Sequence, residues 1–308
     1  MPIPRDISVI IPFYNREEFI DDAVQSVLWQ TLQPLEIIIV NDCSRESSRT
    51  YLDRYSDVCR IIDLPKNVGL AGSRNAGIQE ARGRFIALLD DDDIWLPEKL
   101  AVQRAYMEEH PSCPAVTCWV TAFFRDKPDD LWVQFGPNPI RLSQALNEWY
   151  WAVPSTLMIR ADALRAVGSF DPRFRECEDR DFMIRFCAAG YSIQGIPRSL
   201  VRFRRAGQSS LSGRKLRMYR VHLRIAWIHR ALFYRVYGIR GIANFLLATL
   251  RKATEQSRIL HRAFGIWLRV FPLKYSTRPG YQEPIASEIQ NAHFMLGCPV
   301  SGSVNGDQ

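Results

Sequence analysis

Three short runs constrain the fold more than any other feature of the chain. Ile7-Ser8-Val9-Ile10-Ile11-Pro12, Glu36-Ile37-Ile38-Ile39-Val40 and Phe85-Ile86-Ala87-Leu88-Leu89 are apolar almost without interruption. A strand wetted on one side alternates apolar with polar residues, whereas a strand covered on both sides has no reason to. Between the runs lie segments of helical spacing. Glu17 to Trp29 puts Phe19, Ile20, Ala23, Val24, Val27 and Leu28 on one face. Ser47 to Tyr55, Ala71 to Ala81 and Pro97 to Glu109 also read as helices, the last with proline in its first turn, and Cys59 to Leu64 reads as a short strand. Strand-helix repetition of this kind predicts an α/β fold, with a Rossmann-like, mostly parallel sheet and helices on both faces. Ligands of such sheets bind beyond the carboxyl ends of the strands. Three polar clusters are therefore expected on one rim: Pro12-Phe13-Tyr14-Asn15, Asn41-Asp42-Cys43-Ser44 and Asp90 to Asp93.

The pattern weakens from Phe123 to Tyr150, where aromatics and prolines suggest variable loops. Ser155 to Ile159 reads as a strand, and Ala161 to Val167 and Asp179 to Ala189 read as helices. Arg214 to Val270 is helical in spacing, with breaks near Gly238 and Gly241. Charge separates the two parts. Residues Arg214 to Lys274 hold fourteen Lys/Arg and one acid, Glu255, a charge of +13 that leaves −6 for the remainder of a chain whose net charge is +7. We expect a catalytic domain over residues 1–212, a basic amphipathic helical extension over 213–275 and a polar, loosely ordered tail over 276–308. In the extension, Leu216, Tyr219, Leu223, Ala226, Trp227 and Leu232 recur at helical spacing with arginines between them. That composition suits peripheral contact with an anionic membrane through residues 214–274, or packing on the catalytic domain with the arginines in water.

Several function classes are disfavoured. No window supplies the ~18 apolar residues of a membrane span, and no apolar segment of a signal peptide follows Met1. The expected location is cytoplasmic. Seven cysteines without a Cys-x-x-Cys pair suggest reduced thiols rather than a disulfide or zinc framework. The histidines at 110, 222, 229, 261 and 293 lack metal spacing, although His222 and His229 can share one helix face. No nucleic-acid-binding motif is present, so no nucleic-acid partner is expected.

Three clusters carry chemistry. Asp90-Asp91-Asp92-Asp93 crowds four carboxylates at a strand end, which repel one another unless a cation compensates. Hard oxygen ligands suit Mg2+ or Mn2+, although an acidic turn capping the next helix reads the same way. Asn67-Val68-Gly69-Leu70-Ala71-Gly72-Ser73-Arg74-Asn75-Ala76-Gly77 offers small residues that let a backbone approach a ligand, with Arg74 as a planar cation, or that let an ordinary helix pack tightly on the sheet with Arg74 in a surface pair. It is neither a Gly-x-Gly-x-x-Gly fingerprint nor a Walker loop. Glu176-Cys177-Glu178-Asp179-Arg180-Asp181 places acids where one could take a proton from a hydroxyl, or simply favour a helix start.

In this order and spacing the clusters resemble the inverting family 2 glycosyltransferases of the GT-A fold. The matching stretches are Ser8 to Asn15, Ile38 to Ser44, Asn67 to Gly69 with Ser73 to Gly77, and Phe85 to Asp93, followed by Val167 to Asp171 and Glu178 to Asp181. The resemblance spans roughly residues 5–212. It implies a nucleotide-diphosphate sugar donor, with a UDP-sugar favoured, and an acceptor hydroxyl on a glycan or lipid-linked sugar, as in cell-surface polysaccharide synthesis. It further implies that Pro12 and Tyr14 flank the base, that Asn15 and Asp91 line the donor site and that Asp42 hydrogen-bonds the base. Arg74 would lie near the base or diphosphate. Asp90-Asp91-Asp92 would form the Asp-x-Asp element, with Asp90 near the ribose or metal and Asp92 on Mn2+ or Mg2+. Asp179 would be the general base, with Glu178 beside it. Two departures stand out. Cys43 occupies a position that is often glycine, and Val201 to Ser212 lacks the family's downstream histidine, so that Arg204 or Arg205 would meet the diphosphate instead. The alternatives are a sugar nucleotidyltransferase, disfavoured because Pro12-Phe13-Tyr14-Asn15 is not a glycine-rich basic loop, and an inactive scaffold that binds a membrane or partner.

Overall fold

The computed structural model describes residues 4–124, 127–134, 138–146, 152–205 and 211–239, the backbone alone for 127–134 and 211–219. Residues 240–275 of the extension, the expected break at Gly241, the tail 276–308, His261 and His293 lie outside the described residues.

The first half of the sheet follows from the apolar runs. Strand β1 (Ile7–Phe13) pairs in parallel with β2 (Glu36–Asn41) and β4 (Phe85–Leu88), and β3 (Arg60–Asp63) adds in parallel to β2. Helices α1 (Glu17–Leu28), α2 (Glu46–Tyr51) and α3 (Gly69–Glu80) make the connections. Alternate side chains point to opposite faces. Val9, Ile11 and Phe13 enter one core with Ile20, Val24 and Val27 of α1, whereas Ile10 enters a second core with Ile38, Val40 and Ala71 of α3. Both faces of β1, β2 and β4 are covered, which is why these strands are apolar at nearly every position. Helix α3 lies very close to the sheet, since a Cβ at Gly77 would stand 2.5 Å from Cγ2 of Ile10.

Beyond β4 the sheet is mixed. Its order is β3-β2-β1-β4-β8-β6-β9-β5, with β7 also paired to β6. Strand β8 (Met158–Arg160) runs antiparallel to β4 and to β6 (Ala115–Phe124), and β9 (Ile193–Arg205) runs parallel to β6 along its whole length. The two-residue β5 (Ile94–Trp95) closes on β9. Helices α4 (Lys99–Glu109), α5 (Leu142–Leu146), α6 (Ala161–Val167), α7 (Glu178–Ala188) and α8 (Leu211–Ile228) complete the chain order. Two expectations are corrected. The stretch read as loops from Phe123 begins in β6 and continues into its hairpin partner β7 (Lys127–Gln134) and then α5. The expected strand at Ser155 begins only at Met158. Pro154–Thr156 forms a 3-10 turn instead, because the Thr156 hydroxyl bonds back to the Val153 carbonyl at 2.6 Å.

Candidate active site

The loops after β1 and β2 lock together at the rim. Asn15 and Cys43 both adopt left-handed backbone angles, φ +51° and +58°. The Asn15 amide donates to Ser44 Oγ (3.1 Å), and Asn15 Oδ1 accepts from the Arg45 amide (2.8 Å). Asp42 is buried and caps α3: its Oδ1 accepts from the Val68 amide (2.7 Å) and its Oδ2 from the Gly69 amide (2.9 Å). A carboxylate on the first amides of a helix meets both the free N–H groups and the positive end of the helix dipole. Pro12 is buried within β1, and Tyr14 stands out of the rim with 47 % of its surface exposed.

The four aspartates after β4 take four different environments. Asp90 Oδ1 receives Nη2 of Arg74 at 2.5 Å, and the other arm of Arg74, Nη1, reaches Glu178 Oε1 at 2.5 Å. The Arg74 side chain is wholly buried, so it acts on the crevice through these two carboxylates rather than from its surface. Burial pulls its pKa down, and Asp90 and Glu178 more than offset this, so the guanidinium stays charged. Asp91 and Asp92 converge on one atom, Nη1 of Arg16, at 3.0 and 2.7 Å. Burial raises the Asp91 pKa to about 7 and raises that of Asp92, with the neighbouring carboxylates adding to the effect and Arg16 opposing it. Asp93 is fully buried and spoken for: Ser155 donates its hydroxyl at 2.5 Å and the Arg204 amide donates at 3.0 Å. Arg204 also donates from Nε to the Asp92 carbonyl (2.9 Å) and from Nη2 to Asp22 (2.8 Å). Strand β9 thus clamps the acidic turn from behind.

Helix α7 brings the remaining acids. Its N-cap, Cys177, is again left-handed at φ +58°. Glu178 is buried against Arg74, whereas Asp179 is only partly buried and, among the described residues, has no basic side chain in hydrogen-bond contact. Burial, and then the adjacent Glu178 charge, lift the Asp179 pKa to about 7, with Asp90 contributing to the repulsion. A carboxylate so poised can hold or release a proton near neutrality. The next two residues face away from the crevice: Arg180 Nη1 meets His222 Nδ1 (2.8 Å) and Asp181 Oδ1 meets His229 Nε2 (2.8 Å).

The structure therefore brings Asp90, Glu178, Asp179 and Arg74 into electrostatic contact, with Asp91 and Asp92 beside Asp90 and with Asn15 and Asp42 organising the neighbouring rim loops. Arg16, Ser155 and the clamping role of Asp93 carried no sequence signal beyond position. Arg16 follows Asn15 directly at the mouth of β1, which was the one available hint. Among the described residues, no three His, Cys, Asp or Glu side chains converge as a ready-made metal cage. Asp91 and Asp92 instead share one cationic nitrogen, Nη1 of Arg16.

A parallel β-α sheet, extended by mixed strands and carrying an aspartate turn after its fourth strand, is the GT-A, Rossmann-like architecture. The model of glycosyl transferase family 2 matches residues 8–168, and the chain belongs to that family. It is 28% identical over 211 residues to the putative teichuronic acid biosynthesis glycosyltransferase TuaG of Bacillus subtilis, covering 68% of this chain and 82% of that one. It is 27% identical over 263 residues to the amylovoran biosynthesis glycosyltransferase AmsE of Erwinia amylovora, covering 80% and 93%. Among solved structures, S. aureus TarS with UDP-GlcNAc superposes with a TM-score of 0.61 at 20% identity, covering 87% of this chain and 78% of that one. The mannosyltransferase PcManGT of Pyrobaculum calidifontis, in complex with GDP-Man and Mn2+, gives 0.60 at 15% identity, covering 94% and 80%. At such identities the likeness is one of fold.

Proposed function

We propose that the chain moves a sugar from a nucleotide-diphosphate donor, a UDP-sugar in first place, to a hydroxyl of a glycan or lipid-linked acceptor with inversion, in the synthesis of a cell-surface polysaccharide. The observation that carries this reading is the pairing of two environments across the Asp90–Arg74–Glu178 bridge: Asp91 and Asp92 share one cationic position, and Asp179 is a carboxylate titrating near neutrality. In the reaction, Asp179 accepts the acceptor's hydroxyl proton as that oxygen bonds to the anomeric carbon. The bond from that carbon to the diphosphate oxygen breaks, and the nucleoside diphosphate leaves with the electron pair. Asp92 and Asp90 are the residues proposed to hold Mn2+ or Mg2+, with Asp91 beside them. A divalent cation bound there would offset the charge that builds on the departing diphosphate.

Pro12 and Tyr14 are the residues proposed to flank the base, Tyr14 being exposed at the rim, and Asn15 and Asp42 shape the loops beside them. Arg74 is a positioning residue that fixes Asp90 and Glu178. The polysaccharide context is supported by TuaG and AmsE, whose names specify teichuronic acid and amylovoran synthesis. The donor class is supported by the UDP-GlcNAc and GDP-Man complexes of the structural neighbours. Thermal shift against UDP-, GDP- and dTDP-sugars, with Mn2+ and with EDTA, tests the reading. Stabilisation by one nucleotide sugar that disappears with EDTA, and disappears in Asp92→Ala, is the expected result. Equal melting in every condition would overturn it.

A further inference from the structure

Helix α8, together with helical residues 230–239 beyond the turn at His229, is apolar on two faces. The inner face is fully employed: Ile225 and Phe233 are buried, and His222 and His229 bond to Arg180 and Asp181 of α7. The outer face is not. Leu223, Trp227 and Tyr234 follow one another at spacings of four and seven residues, which places them in a single stripe, and they are 37 %, 69 % and 59 % exposed. Of the ten large apolar side chains exposed among the described residues, five lie between 223 and 239, so exposure is concentrated on this element rather than scattered as on an ordinary surface. Arginines border the stripe: Arg220 and Arg235 are exposed, and the Arg230 guanidinium lies 4.9 Å over the Trp227 ring. The sequence contains no acid between Asp181 and Glu255.

We propose that this outer face is a docking surface for an anionic lipid bilayer, with Leu223, Trp227 and Tyr234 entering the headgroup boundary and Arg220, Arg230 and Arg235 meeting lipid phosphates. Charge decides the occupant. Two copies of the chain laid face to face would bring these arginines against one another, whereas a sheet of phosphates pairs with all of them at once. The proposed contact is a peripheral one, and no helix among the described residues is long and apolar enough to cross a membrane. The proposal stands apart from the transfer reaction. Its structural consequence is that the inner face of the same helix is fastened to Arg180 and Asp181, the residues that directly follow Glu178 and Asp179. The lipid contact and the crevice's α7 carboxylates therefore belong to neighbouring turns of packed helices.

Vesicle flotation of the full chain tests this without any sugar substrate. The chain should float with vesicles holding about 30 mol% phosphatidylglycerol, remain below pure phosphatidylcholine vesicles, and be released from the anionic ones near 0.5 M salt. Leu223→Ser/Trp227→Ser and Arg220→Gln/Arg230→Gln should each cut the floated fraction by about tenfold. Because the four side chains are exposed, the melting temperature should not move, which separates lost docking from lost folding. Wild-type protein left at the bottom with anionic vesicles, or variants that float as well as wild type, would overturn the proposal. So would a concentration-dependent dimer that Trp227→Ser renders monomeric, since the face would then belong to a second copy.

Discussion

Asp179 shows how a single residue acquires a task from its surroundings. Burial does most of the work and its own helix supplies the repelling neighbour, Glu178, and together they lift its pKa to about 7. A base must be unprotonated to act, so activity should be full above that pH and fall about tenfold per unit below it. Initial rates from pH 5.5 to 8.5 check this, and Asp179→Asn should lower turnover by about 10²- to 10⁴-fold while leaving nucleotide-sugar affinity within about twofold. A second residue-scale prediction concerns Cys43, held at φ +58° at an exposed site. The left-handed conformation costs a residue with a Cβ about 1–2 kcal/mol, against which glycine loses about 0.5–1 kcal/mol of unfolded-state entropy. Cys43→Gly should therefore stabilise the protein by about 0.5–1 kcal/mol in urea titrations. This strain was invisible in the sequence, where Cys43 registered only as a small residue in place of glycine. Asp90, Asp92 and Asp179 were legible as candidates because carboxylate runs at strand and helix ends are few. Arg16 was not, since an arginine after a loop asparagine looks like any surface cation until the fold carries it to Asp91 and Asp92.

At the scale of elements, the sequence disclosed what burial dictates and hid what pairing dictates. Strands β1, β2 and β4 are buried on both faces, so their composition alone identifies them. Strand β9 mixes Arg198, Arg202, Arg204 and Arg205 with apolar residues, and its identity comes from the ten-residue register with β6 and from the Arg204 bonds to the acidic turn. Those are long-range partners that no local pattern announces. Helix α3 shows the converse. Its small residues suit either the approach of a ligand or close packing of the helix on the sheet, and Gly77 serves the second. Gly77→Ala should force the Ile10 methyl aside, with an overpacking cost of about 1–3 kcal/mol. A lowered urea midpoint at unchanged slope would match that expectation, whereas an unaltered midpoint would mean that α3 can lift from β1 freely.

For the molecule as a whole, stability depends on pH through an interior charge as well as the acidic rim. Lys99 is fully buried at the start of α4, with its Nζ donating to Gln103 Oε1 at 2.8 Å and lying 3.8 Å from the centre of the Trp95 ring. Among the described residues no carboxylate bonds to it, and burial pushes its pKa down to about 7. In the unfolded chain the same amine titrates near 10.4. Between these values the unfolded state holds a proton that the folded state has shed, so folding gains stability as pH rises, by up to about 1.4 kcal/mol per unit. The carboxylates at Asp91 and Asp179 work in the opposite sense, but in the window from about pH 4 to pH 7, where the folded state still holds protons that the unfolded state has released. The buried thiol of Cys118, lifted to about 11, also opposes the lysine, but only once unfolded thiols ionise above about pH 8.5. The interval from about pH 7 to pH 8.5 lies above the Asp91 and Asp179 transitions and below thiol ionisation, and comparison with a lysine variant separates Lys99 from the Asp92 and Asp93 carboxylates, which burial also raises. Urea unfolding of wild type there should show stability climbing with pH, and Lys99→Met, which keeps the aliphatic stem and removes the ammonium, should flatten the climb. Parallel slopes for the two proteins would mean that Lys99 keeps its proton inside the fold, with the Trp95 ring and Gln103 together replacing water as its solvent.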